Sequence, residues 1–286
     1  MNRANESQGE RAVTEAISND EQLLPRYQDP TTYPFPESTV PPFVYSIFPK
    51  DIFIYREDYI SLILGPPYKA NESHPLTIFY VSVHMDNRWT NNSSIPQIRL
   101  HFGPDNTYPV IGTASFRFNA TSDITIWHDP TSTSNETSTY DARANASSET
   151  NIELSKKSIA MKDVHVFQHM IMSTGGTLAR EKFEWRHSGD PEVKAFATEN
   201  IPGENITQEN RGLKLVRVST GQMLALYCGG KHSKVQNPQR VAGKLRFIGP
   251  NVLDPLVVVM TILTIIERSR RNATYNAAGL AGCVLS

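Results

Sequence analysis

The residues with the most direct chemical use close the sequence. Cys283-Val284-Leu285-Ser286 is a thiol nucleophile, two aliphatic residues and a serine, the CaaX pattern accepted by farnesyltransferase. The expected chemistry is transfer of an isoprenoid to the Cys283 sulfur, with residues 272–286 as a flexible tail presenting it. One isoprenoid binds a membrane only reversibly, so a second attraction is expected alongside it. Lys231, Lys234, Arg240, Lys244 and Arg246 fall in a run from Gly229 to Phe247 that contains no acid, and Arg268, Arg270 and Arg271 follow an apolar stretch. Gathered by folding, these eight cations suit anionic lipid headgroups. Left apart, they are a solvated loop and a helix end whose dipole favours positive charge.

Other reactive patterns are missing from the sequence. It has no glycine-rich phosphate loop, nucleophile elbow or zincin motif. His165 and His169 have the i, i+4 spacing of helical zinc ligands, but DVHVFQHM alternates like a strand, where the two merely share a face. His84, His101, His128, His187 and His232 are scattered. No catalytic residue, metal or cofactor is expected. Trp185, between Glu184 and Arg186, reads as an inward core anchor flanked by outward charges.

These groups must be positioned by a chain of 286 residues with 39% apolar and 20% charged residues, long enough for a sizeable core. Lysine plus arginine number 28 against 29 acids, so no overall field draws the chain to nucleic acid, and recognition by charge must be local. Cys228 and Cys283 are too few for a disulfide framework. The first thirty residues carry no apolar run flanked by basic residues, so neither a secretory signal nor a membrane anchor is expected there and the cytosol is the expected compartment. The Asn-X-Ser/Thr triplets are accordingly read as composition, not glycosylation.

Residues 1–42 form an expected tail, polar at first and then studded with proline. The domain is expected over 43–271. Its strand-like runs are Phe43–Phe48, Asp51–Tyr55, Tyr59–Leu64, Thr77–Met85, Gln97–Phe102, Val110–Phe118 and Ile124–Trp127. Residues 129–150, almost all Ser, Thr, Asn, Asp, Glu and Ala, are a disordered insertion. Strands resume at Asp163–Met172, Lys182–Arg186, Leu213–Val218, Gln222–Cys228 and Lys244–Ile248, with a hairpin turn at Ser219-Thr220-Gly221. The two β halves could be two domains or one interrupted sheet.

Asp254-Pro255 is an N-cap followed by a first-turn proline, and LVVVMTILTII then runs into ERSRR, which predicts a helix over Pro255–Arg271. Its apolar part, Leu256–Ile266, spans about 16 Å at about 1.5 Å per residue, short of about 30 Å of bilayer hydrocarbon. A helix apolar on every face must be wrapped by protein if lipid does not wrap it. The expected fold is therefore mainly β: a closed or strongly curled antiparallel barrel around the C-terminal helix, with a helix laid on one open sheet as the alternative.

LRFIGPNVLDPLVVVMTILTIIERSRR, Leu245–Arg271, resembles the closing signature of a fungal group of unassigned function in the tubby C-terminal-like superfamily. That superfamily also takes in LURP-one-related proteins and phospholipid scramblases. EKFEWRH, Glu181–His187, is similar to the Trp-centred strand the group carries at mid-domain. The resemblance implies a barrel closed around a hydrophobic C-terminal helix. Tubby proteins bind phosphoinositides through basic residues on the wall, but those positions have no matched counterparts here. The expected function is a non-enzymatic, membrane-associated binding module, farnesylated at Cys283, with an anionic membrane lipid as partner. The alternative is a cytosolic scaffold that recruits protein partners and is regulated through its Ser/Thr-rich insertion.

Overall fold

Alternation of apolar and polar residues marks out strands with one dry and one wet face. In the computed structural model, the described residues are 48–58, 60–67, 76–84, 95–117, 120–128, 149–159, 162–172, 176–199, 212–229, 240–248 and 252–284. They form β1 (Asp51–Arg56), β2 (Ser61–Gly65), β3 (Phe79–Val83), β4 (Ile98–His101), β5 (Val110–Phe116), β6 (Thr121–Trp127), β7 (Glu149–Ile159), β8 (Lys162–Met172), β9 (Leu178–Ser188), β10 (Gly212–Arg217), β11 (Met223–Gly229) and β12 (Arg240–Phe247), with helices α1 (Pro191–Thr198) and α2 (Pro255–Val284).

Each strand pairs antiparallel with its neighbours in sequence, and β12 pairs with β1 to close a twelve-stranded barrel. The two β halves are thus one barrel. Strand β7 joins them by pairing with β6 along Thr121–Trp127 and with β8 from Ser155 to Ile159. It is an addition to the expected strands, and it begins at Glu149, inside the stretch read as insertion. ETNIELSKKSI offers only Ile152 and Leu154 to the core, both buried, too weak an alternation to stand out from its polar surroundings. Residues 129–148, the first forty-two residues and most of Phe43–Phe48 lie outside the described residues.

Helix α1 also carries no strong sequence signal. Pro191 at its first turn fixes a helical φ, and Val193, Phe196 and Ala197 at i, i+3, i+4 spacing pack with Leu226 and Cys228 on the outside of the wall.

Buried apolar residues of all twelve strands and those of α2 from Leu256 to Ile266 share one core. Residues 256–265 of α2 are each no more than 4% exposed. At about 100° per residue these ten positions cover every face, so the helix lies within the barrel. It touches the wall on widely separated strands. The Trp185 indole on β9 donates to Thr261 Oγ1 at 3.0 Å, while on β5 a Cβ at Gly112 would stand 2.9 Å from the Met260 sulfur. Trp185 is fully buried, in the anchoring role its sequence context predicted. The helix continues past the expected end at Arg271 to Val284, because NATYNAAGLAGCV contains four alanines and no proline to stop it.

Helix α2 begins at the near end of the barrel and leaves at the far end. Thr261→Val is the test of the central contact: the methyl replaces the hydroxyl and leaves the Trp185 N–H buried without an acceptor. Urea unfolding should show a loss of about 1–3 kcal/mol with the fold retained by circular dichroism.

Candidate functional site

Among the described residues, polar groups named from the sequence gather at both ends of the barrel and on its outer wall. At the near end, Asp254 caps α2: its Oδ1 accepts the Leu256 amide at 2.8 Å. Its Oδ2 lies 3.1 Å from His128 Nδ1, just after β6, and His128 Nε2 lies 3.0 Å from Thr150 Oγ1 on β7. The hydrogen bond to Asp254 raises the His128 pKa, against the opposing effect of burial. His169, inward on β8, faces the same two groups, and burial lowers its pKa. His165 shares that inward face two residues beyond Phe167. It is buried at the level of Lys156, Asp163, His187 and Arg268, and desolvation lowers its pKa to about 4. The two histidines therefore share a face, as the strand reading predicted, but sit in different surroundings. Among the described residues no group of three His, Cys, Asp or Glu side chains could hold a metal ion.

At the far end, ERSRR closes the barrel. Glu267 is 2% exposed, and its carboxylate accepts two bonds from Arg270 at 2.7 Å and one from Arg271 at 2.9 Å. Arg271 also donates to the His84 carbonyl, after β3, at 2.5 Å. Arg268 donates to Ser122 Oγ at 3.0 Å and to the Arg117 carbonyl at 2.9 Å. Burial lowers its pKa, and both Arg268 and Arg271 lie over the Phe116 ring. Arg268 and Arg271 bind the helix to the β3, β5 and β6 ends of the wall, while Arg270 pairs with Glu267 on the helix itself.

On the outer wall, Lys244 and Arg246 project from β12 beneath α1. Arg246 reaches Asp51 across the β1–β12 seam at 2.6 and 2.8 Å, and Glu199 at the end of α1 at 2.7 and 2.6 Å. These bonds, to Asp51 first, raise its pKa. Lys244 is 3% exposed, donates to the Glu199 carbonyl at 3.1 Å and lies 4.4 Å from the Phe196 ring centre. Burial lowers its pKa. Cys228 sits below α1 with its thiol pushed up to about 11 by burial.

The headgroup candidates thus divide between two places. Lys244 and Arg246 serve the α1 side of β12, while Arg268, Arg270 and Arg271 serve the far end. Each of these five is held by carboxylates, carbonyls, hydroxyls or rings of its own fold. Arg240 begins β12, and its side chain is outside the description, as are Lys231 and Lys234 altogether. Cys283 lies on the last turn of α2, and its side chain is also outside it.

One arrangement had no sequence signal, because its members are distant in the chain. On the outer face of β3 and β4, Ser82 Oγ lies 3.0 Å from His101 Nε2, and His101 Nδ1 lies 2.9 Å from the Tyr108 carbonyl. A carbonyl only accepts, so Nδ1 carries the proton and Nε2 is free to accept from the serine. This is the nucleophile, base and orienting group order of acyl-transfer sites. However, Ser82 is flanked by ladder partners on β2 and β4, which consume the strand amides that an oxyanion hole needs. His101 is 4% exposed and pins the β4–β5 turn.

Compared with known proteins, the chain matches no family model, no curated protein and no solved structure. Among the described residues, no helix is long and apolar enough to cross a membrane.

Two outcomes follow from the barrel ends. Because the folded His128 pKa is raised, its pairing with Asp254 contributes fully below the unfolded value of about 6.5 and is lost as pH rises through the folded value. His128→Asn should therefore cost more stability at pH 5.5 than at pH 8.5, measured by urea unfolding at each pH. Glu267→Ala leaves two buried guanidinium groups without their carboxylate and should lower stability by about 3–5 kcal/mol, read from the same denaturation curves.

Proposed function

We propose that this protein is a non-enzymatic binding module of the tubby C-terminal-like kind, held at the cytoplasmic face of a membrane by a farnesyl group on Cys283. A twelve-stranded antiparallel barrel wrapped round its own C-terminal helix is the architecture that kinship implies, and it supports the reading. The observation that carries the membrane part is the path of α2. Its apolar segment is consumed inside the barrel, so it is unavailable to lipid. The helix then leaves the far end and continues to Val284, which carries Cys283 about 18 Å beyond Arg271 at about 1.5 Å per residue. A helical segment extending that far past Arg271 suits the approach of a prenylating enzyme.

The basic residues contribute less to this reading than their number suggests. Lys244, Arg246, Arg268, Arg270 and Arg271 already bond to internal partners, and a headgroup would have to compete with those bonds. The lipid chain therefore carries most of the proposed attachment, which with one isoprenoid is reversible.

Expression in eukaryotic cells followed by membrane fractionation tests this. Cys283→Ser should move the protein from the pellet to the soluble fraction, and a farnesyltransferase inhibitor should do the same to the unsubstituted chain. Equal distribution of both forms discards the anchor.

A further inference from the structure

His165 is 6% exposed on the inward face of β8, and its ring has no hydrogen-bond partner among the described residues. Its neighbours in the ladder are Lys156 on β7 and Trp185 on β9, and Trp185 is the residue whose indole holds Thr261 of α2. The titratable groups that face it are Lys156, Asp163 two residues before it, His187 on β9 and Arg268 on α2. Two of these are cations and one is an acid; His187 joins the cations when protonated. The acid is already taken, because Asp163 accepts from Lys156 at 2.8 Å and from Ser158 at 3.0 Å. Arg268, itself buried, uses Ser122 and the Arg117 carbonyl as its own acceptors. A proton on His165 therefore adds charge beside like charge, with no acceptor to receive it. The near end is built the other way. There the Asp254 carboxylate stands 3.1 Å from His128 Nδ1, so acid reinforces the cap of α2, while burial of His169 beside the same two groups opposes that gain.

We infer that the far end of the barrel is an acid-sensitive latch: protonation of His165 loosens the hold of Arg268 and Trp185 on the far half of α2, while the near end of the helix stays fastened. Desolvation, with the Lys156 charge adding to it, brings His165 down to about 4 in the folded protein, against about 6.5 where the ring is free in water. The opened state binds the extra proton between those values, so the latch weakens as pH falls from about 6.5 and His165 has made its full contribution by about pH 4. Within that window each pH unit favours the open form about tenfold. The release acts on the segment that carries Cys283 but needs no lipid on the thiol, so it stands or falls apart from the farnesyl proposal.

The test is hydrogen–deuterium exchange on the full chain made without prenylation, at pH 7 and pH 5, with rates corrected for the intrinsic pH dependence of amide exchange. Opening of peptides covering Glu267–Arg271 should rise about twentyfold between the two conditions, and peptides covering Leu256–Met260 should change far less. His165→Leu and His165→Gln carry no titrating group at this position, and either variant that melts cooperatively at pH 7 should lose the rise. His84→Gln alters an exposed side chain at the same end and should keep it. A parent protein with no rise at Glu267–Arg271 overturns the latch. So does a rise that persists without the His165 ring, and so does an equal rise in both halves of α2, which is global unfolding.

Discussion

A closed sheet of twelve strands encloses more space than its own side chains can fill. At a strand spacing of about 4.8 Å and a tilt of about 40°, the backbone cylinder is about 24 Å across. Wall side chains reach inward about 5 Å from each side, leaving about 14 Å, close to the 10–12 Å diameter of a helix with its side chains. The barrel needs a rod and the rod needs a barrel. Leu256–Ile265 is apolar around its circumference, interrupted only by Thr261, which accepts from Trp185, and Thr264, which donates to the Met260 carbonyl at 2.6 Å. Either partner alone would expose a large apolar surface to water, so wall and helix must form together.

The polar clusters follow from that constraint. A helix inside a closed barrel still has unsatisfied amides at one end and carbonyls at the other, and both ends must be fixed to the wall. The near end uses one carboxylate, Asp254, to cap the helix and hold His128. The far end uses arginines, which complement the negative end of the helix dipole and present enough donors to reach the wall and Glu267 together. In the acid-free run, Lys244 and Arg246 have a similar structural use. Arg246 spans the β1–β12 seam to Asp51, 195 positions away in sequence, and ties α1 to the strand that closes the barrel. The five described cations of that set, which look like a recognition surface when written in a line, are fastenings of the fold.

Most of the architecture was legible because it rests on pattern. Strands with alternating Ile, Val and Phe stood out, as did the cap at Asp254-Pro255 and the hydrophobic run after it. Strand β7 did not, since its two apolar residues are enough only because β6 and β8 supply the rest of the core. Helix α1 is similar: its apolar face is three residues wide and depends on Leu226 and Cys228 to cover it. The ERSRR cations, which complement the carbonyl end of a helix, place the end of α2 at Arg271, but helix propagation continues without such a signal once a nucleus is fixed. The functional residues were harder to place. Sequence adjacency grouped Lys244, Arg246 and the closing arginines, whereas folding assigns them to different partners. Ser82, His101 and the Tyr108 carbonyl meet only because β3 and β4 pair.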